Sequence, residues 1–415
     1  MKILWLSHFV PYPPKGGNLQ RSYNLLRELS REHEVTLVAF NMENHPPDRL
    51  AAYKEQLRKF CREVAFWQLP VRWRGLRWWL QMAASPLRAM PHACSSFWSK
   101  ETQGQWQAIL QRNWSVVHFD SPDLAHFVAS SAHFPRVLNH HNCESRMMYR
   151  RAELEPSAVK RLFLKDQAQK LRALESTLCG QCDINLTVSE SDAEQLRKHS
   201  PDGLFHIVEN GTDCSYFSPQ EELESSNSIV FAGSLNWYPN QTALRFFGEQ
   251  VWPILKKRHP GIRLYVAGMS PARWIFDWAA KDGSTEVIAS PEDIRPWIHR
   301  AAVFVCPIQD GGGTKLKILD ALAMGKAVVS TTFATEGLRV VPGEHLLVAD
   351  SAADFAEATA QLLSDSSIRK KIGCAGRQFV EAEYSWTSIG RELTDAYKKA
   401  IRNFENDHSK SQVMG

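Results

Sequence analysis

Short apolar runs, bounded by glycine and polar turns, recur along the chain. Between them apolar residues return at every third or fourth position. The first pattern is that of strands buried on both faces, the second that of helices covering them. KILWLS (residues 2–7) is the first such run. A loop rich in proline and glycine, HFVPYPPKGGNLQR, follows it. Residues 22–31 (SYNLLRELSR) then show helical spacing, and HEVTLVAF is a second strand-like run. A strand, a glycine loop, a helix and a strand in that order open an α/β, doubly wound sheet. SVVHF (115–119) and RVLN (136–139) read as later strands of the same sheet, with a helical segment starting near Pro122 between them. Residues 144–180 form a long, charged, helix-patterned stretch. DINLTV (183–188) is another strand, and Ser189 caps the helix after it, with Asp192 three residues on in an approximate capping box.

The pattern resets at HIVENGTDCSYFSP, where Asn210-Gly211 is a turn signal and QEELESSNS a polar linker. SIVFAG restarts a strand, and the β–loop–α–β unit repeats through LYVAG (264–268), EVIA (286–289) and AAVFVC (301–306), with turns at Gly233 and Gly268. The expected organisation is therefore a first doubly wound domain over 1–205 and a second over 206–384. A helix over 385–404 is expected to return to the first domain, and the polar tail 405–415 to be disordered.

A chain of 415 residues is too long for one core, which agrees with two domains. Hydrophobic residues are 44% and charged residues 23%, as in an ordinary globular protein, and the net charge of +4 is too small to argue for nucleic acid as a partner. No run reaches the roughly 18 consecutive apolar residues of a membrane-spanning helix. The apolar N-terminus reads as a buried strand and not as a signal peptide. The eight cysteines are scattered, so the expected setting is reducing and cytoplasmic. Cys179 and Cys182 form a lone CGQC, a weak redox or metal signal.

The fourteen tryptophans are unevenly placed. Residues 66–98 interleave Arg72, Arg74, Arg77 and Arg88 with Trp67, Trp73, Trp78, Trp79 and Trp98. Rings at headgroup level with arginine on anionic lipid would place this segment on the inner membrane face. The alternative is a helical insertion with tryptophan in the core and arginine on its wet side.

The chemistry concentrates in PIQDGGGTKLKILDALAMGKAVVSTT (307–332). A buried strand leads into Gly311, Gly312 and Gly313, then Thr314, Lys315 and Lys317, and a helix carrying Asp320. Backbone N–H groups and a helix N-terminus there can hold phosphate. The lysines add countercharge, and the acid can accept hydrogen bonds from a ribose. Each has a plainer reading: a strand–helix turn, solvated lysines, or an acid complementing a helix dipole.

Taken in order, these stretches resemble the glycosyltransferases of family 4. The motifs are PYPPKGGNLQR, NHHN, TVSESD, ENGTD, FAGSLNWYPN and GGGTKLKILDALAMGKAVVSTTFATEGL. The resemblance covers nearly the whole chain. It implies a GT-B fold, in which two Rossmann-like domains face each other across a cleft. It also implies retaining transfer of a sugar from a nucleotide diphosphate-sugar to a glycan or lipid-linked acceptor, with no metal and no cofactor. By the same resemblance His141 lies near the reacting centre, with His140 as the adjacent candidate. Gly16 and Gly17 face the donor, as do Gly233 and Ser234. Ala289 and Ser290 match the stretch whose backbone reads the base. Glu144 and Arg146 would line the acceptor side. Family members often carry two glutamates eight positions apart; here Gly312 holds the first position and Asp320 the second. The arginine and lysine common in the first loop of the second domain are missing from SLNWYPN, and Lys315 and Lys317 are the expected replacements. The alternatives are a GT-B sugar-nucleotide epimerase and a nucleotide-sugar binding protein impaired by loss of the first acid.

Overall fold

The computed structural model describes residues 1–14, 17–69, 84–220, 225–311 and 316–413. It divides into two compact units, one of Met1–Glu209 with Ile389–Gly415 and one of Asn210–Ser388.

The first unit is built on seven strands: β1 (Lys2–Ser7), β2 (Glu34–Asn41), β3 (Glu63–Gln68), β4 (Val116–Phe119), β5 (Arg136–His140), β6 (Ile184–Thr187) and β7 (Phe205–Ile207). Their order is β3-β2-β1-β4-β5-β6-β7 and every pairing is parallel. Parallel strands are covered on both faces, which is why β1 reads as a run and not as an alternation. Ile3, Leu4, Trp5 and Leu6 are all fully buried, and each contributes about 1.5–3 kcal/mol by leaving water. The chain leaves β1 through helix α1 (Gly17–Leu29) and returns as β2. The sheet therefore winds one way through β2 and β3 and the other way through β4 to β7. β1 and β4 flank the reversal, the place where open α/β sheets bind ligands at their carboxyl ends.

The second unit repeats the plan with β8 (Ser225–Ala232), β9 (Arg263–Gly268), β10 (Thr285–Ala289), β11 (Ala301–Cys306), β12 (Ala327–Ser330) and β13 (Leu347–Val348). The order is β10-β9-β8-β11-β12-β13, again wholly parallel, with the reversal between β8 and β11.

Several expectations change. The helical stretch 144–180 is two helices, α2 (Glu144–Leu154) and α3 (Ala158–Gln181). Pro156 lies in the break, where its ring and missing N–H interrupt the ladder. Ser189 caps α4 (Glu190–Arg197) by accepting from the Asp192 N–H. The Asp192 carboxylate takes the Ser189 hydroxyl and the Cys143 N–H, so the box is not reciprocal. Within 66–98, Trp67 is buried on β3 and packs edge-on against Phe40, and Trp98 stacks on His126. Trp67 belongs to the first unit's core, and Trp98, half-buried, packs against it. Arg72, Trp73, Arg74, Arg77, Trp78 and Trp79 lie outside the described residues. The tail expected to be disordered continues as helix, in Trp386–Val413. It contains no proline or glycine before residue 415, and Ser409 bonds back to the Glu405 carbonyl.

Candidate active site

At the carboxyl ends of β1 and β4 the first unit gathers a buried polar network. Asp120 follows β4 directly and is fully buried. Its Oδ2 accepts from Ser22 Oγ at 2.7 Å and Ser7 Oγ at 3.1 Å. Its Oδ1 accepts from Asn139 Nδ2 at 3.0 Å and lies 3.3 Å from His141 Nε2. Asn139 is held in turn by Arg21 of α1, whose other nitrogen donates to the Glu209 carbonyl. A buried carboxylate is costly unless hydrogen-bonded, and here it is bonded from three directions. Burial alone would raise its pKa. The His141 charge and its hydrogen bond, with the His118 ring 3.8 Å away, outweigh that and hold it well below the usual carboxylate range. Burial pushes the His8 imidazole down to about 3 and the Arg21 guanidinium down to about 10.

The two adjacent histidines part company because successive side chains on a strand point to opposite faces. His140, the last residue of β5, is wholly buried, with Nε2 3.3 Å from Asn185 Oδ1 and 3.6 Å from Cys179 Sγ. It is a core histidine, and Cys179 of the CGQC stretch is its neighbour. His141 turns to Asp120. The charged acceptor outranks the neutral amide of Asn139, also 3.3 Å away, so Nε2 carries a proton toward Asp120. Nδ1 has no hydrogen-bond partner among the described residues.

Glu144 and Arg146 both lie in the first turn of α2. Glu144 accepts from Asn142, and burial, with Asp123 nearby, pushes its carboxyl up to about 8. Burial lifts Asp123 itself to about 6. Arg146 reaches Ser191. Gly17 opens α1 and does not lie in the turn before it. Gly16 is outside the described residues.

In the second unit the turn after β8 is shaped by two glycines. Gly233 has φ +154°, and a Cβ there would lie 2.6 Å from Lys317 Nζ. Gly268 ends β9, and a Cβ on it would fall 1.6 Å from the Gly233 carbonyl oxygen. Side-chain-free backbones are what let β8 and β9 close this turn. Asn240, in helix α5 (Tyr238–Phe246), donates to the Ser234 carbonyl at 2.7 Å and accepts from Lys317 Nζ at 2.6 Å. The ammonium also lies over the Phe231 ring, 4.7 Å from its centroid. Lys317 comes from α6 (Leu316–Ala323), so the lysine and the glycine turn meet across the β8/β11 reversal. Asp320, one turn further along α6, accepts from Thr212 Oγ1 at 2.8 Å, which joins the ENGTD stretch to this helix.

Ala289 ends β10, and Ser290 takes φ +49°, a left-handed conformation that is uncommon outside glycine. Its N–H is fixed on the Gly268 carbonyl, and its hydroxyl accepts from Ser270 N–H. Gly311, with φ +112°, donates its N–H to the Asp310 carboxylate. Gly312, Gly313, Thr314 and Lys315 lie outside the described residues. The sequence reading did not single out Asp120, Asn139, Arg21, Thr212 or Asn240. One signal was available for Asp120, an acid placed immediately after the apolar run VVHF.

His8, Asp120 and His141 bring one ligand atom each within 4.8 Å of one another, the one such group among the described residues. Asp120 already takes two hydroxyls and an amide on its two oxygens.

Two Rossmann-like units, each with polar groups gathered at its sheet reversal, define the α/β GT-B class. The chain is similar over 97% of its length to all of sucrose-phosphate synthase from Thermosynechococcus elongatus, with a TM-score of 0.72 and 16% identity. The model of Glycosyltransferase Family 4 matches residues 16–216, and that of Glycosyl transferases group 1 matches residues 226–365. The chain is a family 4-like glycosyltransferase of group 1. It is 29% identical over 174 residues to an uncharacterized 44.6 kDa protein in the cps region of Klebsiella pneumoniae, covering 39% of this chain and 44% of that one. It is 33% identical over 118 residues to a GDP-mannose-dependent monoacylated alpha-(1-6)-phosphatidylinositol monomannoside mannosyltransferase of Corynebacterium glutamicum, covering 27% and 31%. The chain thus spans less than half the length of the curated relatives it matches. No helix among the described residues is long and apolar enough to cross a membrane.

Proposed function

We propose that the protein transfers a sugar, with retention of anomeric configuration and without a metal, from a nucleotide diphosphate-sugar to a lipid-linked or polysaccharide acceptor. One observation carries the reading. The Lys317 ammonium lies 2.6 Å from where a Cβ on Gly233 would stand, at the carboxyl end of β8 beside the sheet reversal. Breaking the bond between sugar and phosphate leaves negative charge on the departing diphosphate. A cation held by Asn240 at a bare-backbone turn is suited to meet it. In this reading Asp320, steadied by Thr212, takes the ribose hydroxyls, and the backbone at Ala289 and Ser290 reads the base. His141 turns Nδ1 to the sugar hydroxyls, while Asp120 fixes the ring. A nucleotide diphosphate-sugar donor is supported by the mannosyltransferase relative, whose name specifies GDP-mannose.

The test is a thermal-shift screen across nucleotide sugars, then acceptor-dependent release of nucleoside diphosphate in the presence of membrane extract. The expected product keeps the donor's anomeric configuration by NMR. Donor isomerisation without acceptor would establish an epimerase instead, and binding without turnover an impaired binder. His141→Ala should lower turnover by about 10²-fold or more. His140→Ala should lower the melting temperature and spare turnover in the folded fraction.

A further inference from the structure

Five large apolar side chains stand exposed among the described residues of the first unit; three lie on one helical hairpin and a fourth in a turn tied to it. Leu154, 60% exposed, ends α2; Val159 and Leu162, 81% and 72% exposed, lie three apart on the first turns of α3. Residues three apart share a helix face. That face is not the one α3 uses for the core, which is carried by Leu164, Ala168 and Leu171. The fourth, Leu87, is 92% exposed and sits in the short turn Ser85–Leu87. This turn is tied to the same helix: Gln167 donates to Ser85 Oγ at 2.8 Å and Lys170 to the Ser85 carbonyl at 2.7 Å. From Leu162 to Gln167 the helix rises only about 7.5 Å.

The hairpin is also basic. Between residues 150 and 165, Arg150, Arg151, Lys160, Arg161 and Lys165 stand against Glu153 and Glu155, and Asp166 just beyond is paired with Lys170. Glu155 holds the Ser157 N–H, and Arg161 closes the turn on the carbonyls of Glu155 and Pro156. Aliphatic side chains thus stand in water at a corner edged by cations. A second copy seated symmetrically on this corner would bring the same five cations against themselves. An anionic bilayer answers both features, taking the aliphatic tips among its acyl chains and the cations at its headgroups.

We infer that the α2–α3 hairpin docks the protein on an anionic lipid surface through Leu154, Val159 and Leu162. The inference rests on this surface alone and does not need the transferase reading. It also differs from the tryptophan- and arginine-rich segment, since all three residues lie outside 66–98. The full-length chain is to be sedimented with vesicles of phosphatidylcholine, with and without phosphatidylglycerol. Binding is expected to the anionic vesicles and to weaken with salt. The combined variant Leu154→Ser, Val159→Ser, Leu162→Ser should bind about tenfold more weakly, and Lys160→Glu with Lys165→Glu should do the same. Unchanged melting temperatures would show that the variants are folded. Binding of the serine variant equal to that of the natural chain overturns the inference. So does equal binding to neutral and anionic vesicles. A dimer in light scattering that the serine substitutions dissociate, with vesicle binding untouched, overturns it in favour of contact between copies.

Discussion

Nε2 of His141 lies 3.3 Å from Oδ1 of Asp120, across the mouth of the first sheet. The two residues come from different strand ends, twenty-one positions apart. Neither ordinary core packing nor solvent contact accounts for a buried carboxylate collecting two hydroxyls, an amide and an imidazole. The arrangement fixes one ring orientation and leaves one ring nitrogen with no hydrogen-bond partner among the described residues.

Replacing this carboxylate tests how far the network depends on its charge. Asp120→Asn leaves buried donors facing an amide, and should cost about 3–5 kcal/mol. The Asp120 pKa is lowered on folding, so its contribution is present above the unfolded value of 3.8 and is lost as pH falls through the folded value. Urea midpoints of natural and variant chains should therefore differ widely at neutral pH and converge in acid. A gap that does not change with pH would remove the charge from the explanation.

The second unit makes a separate prediction about diphosphate. Lys317→Ala should weaken nucleoside diphosphate binding about tenfold, the scale of one charge-assisted hydrogen bond. Asn240→Ala, which frees the lysine without removing it, should cost less. Calorimetry showing unchanged affinity for Lys317→Ala would take the lysine out of the site.

Glycines divide into those the fold requires and those it tolerates. Gly268→Ala places a Cβ 1.6 Å from the Gly233 carbonyl oxygen, so the β8 and β9 ends must separate and thermal stability should fall steeply. Gly104, inside the helix Lys100–Leu110, has nothing within 4 Å of its would-be Cβ. Gly104→Ala should stabilise by about 0.5–1 kcal/mol. Denaturant curves that rank the two variants the other way would contradict the geometry.

A fourth prediction concerns alkaline conditions. The Glu144 carboxyl, raised from 4.5 to about 8 chiefly by burial, is protonated in both states below 4.5. Between 4.5 and about 8 the folded chain keeps a proton that the unfolded chain releases, so stability falls as pH rises. Glu144→Gln lacks this loss. Its melting temperature should match the natural chain's in mild acid and exceed it by ~3 °C or more near pH 8. Parallel curves across the range would count against the raised pKa.

Much of the fold was legible because parallel strands must be buried on both faces. KILWLS, AAVFVC and SIVFAG announce themselves as unbroken apolar runs, and the turns between strand and helix are marked by glycine. Pro156 was visible too, yet its effect in splitting the helix was outweighed in the reading by the charged helical pattern around it. The polar tail misled for the opposite reason. Low hydrophobicity suggested disorder, whereas an uninterrupted helix needs only a compatible backbone and something to continue from.

The sequence by itself determined two doubly wound units, the phosphate-suited turn at Gly311 and the candidacy of Lys317, Asp320 and the histidine pair. These follow from period, composition and local turn chemistry, all of which act between near neighbours in the chain. Only the tertiary structure decided that His141 faces Asp120 while His140 faces Cys179, and that Lys317 stands beside Gly233 under the hold of Asn240. Those choices depend on which strand ends meet at a sheet reversal. That is set by the packing of residues up to about a hundred positions apart, and no local pattern encodes it.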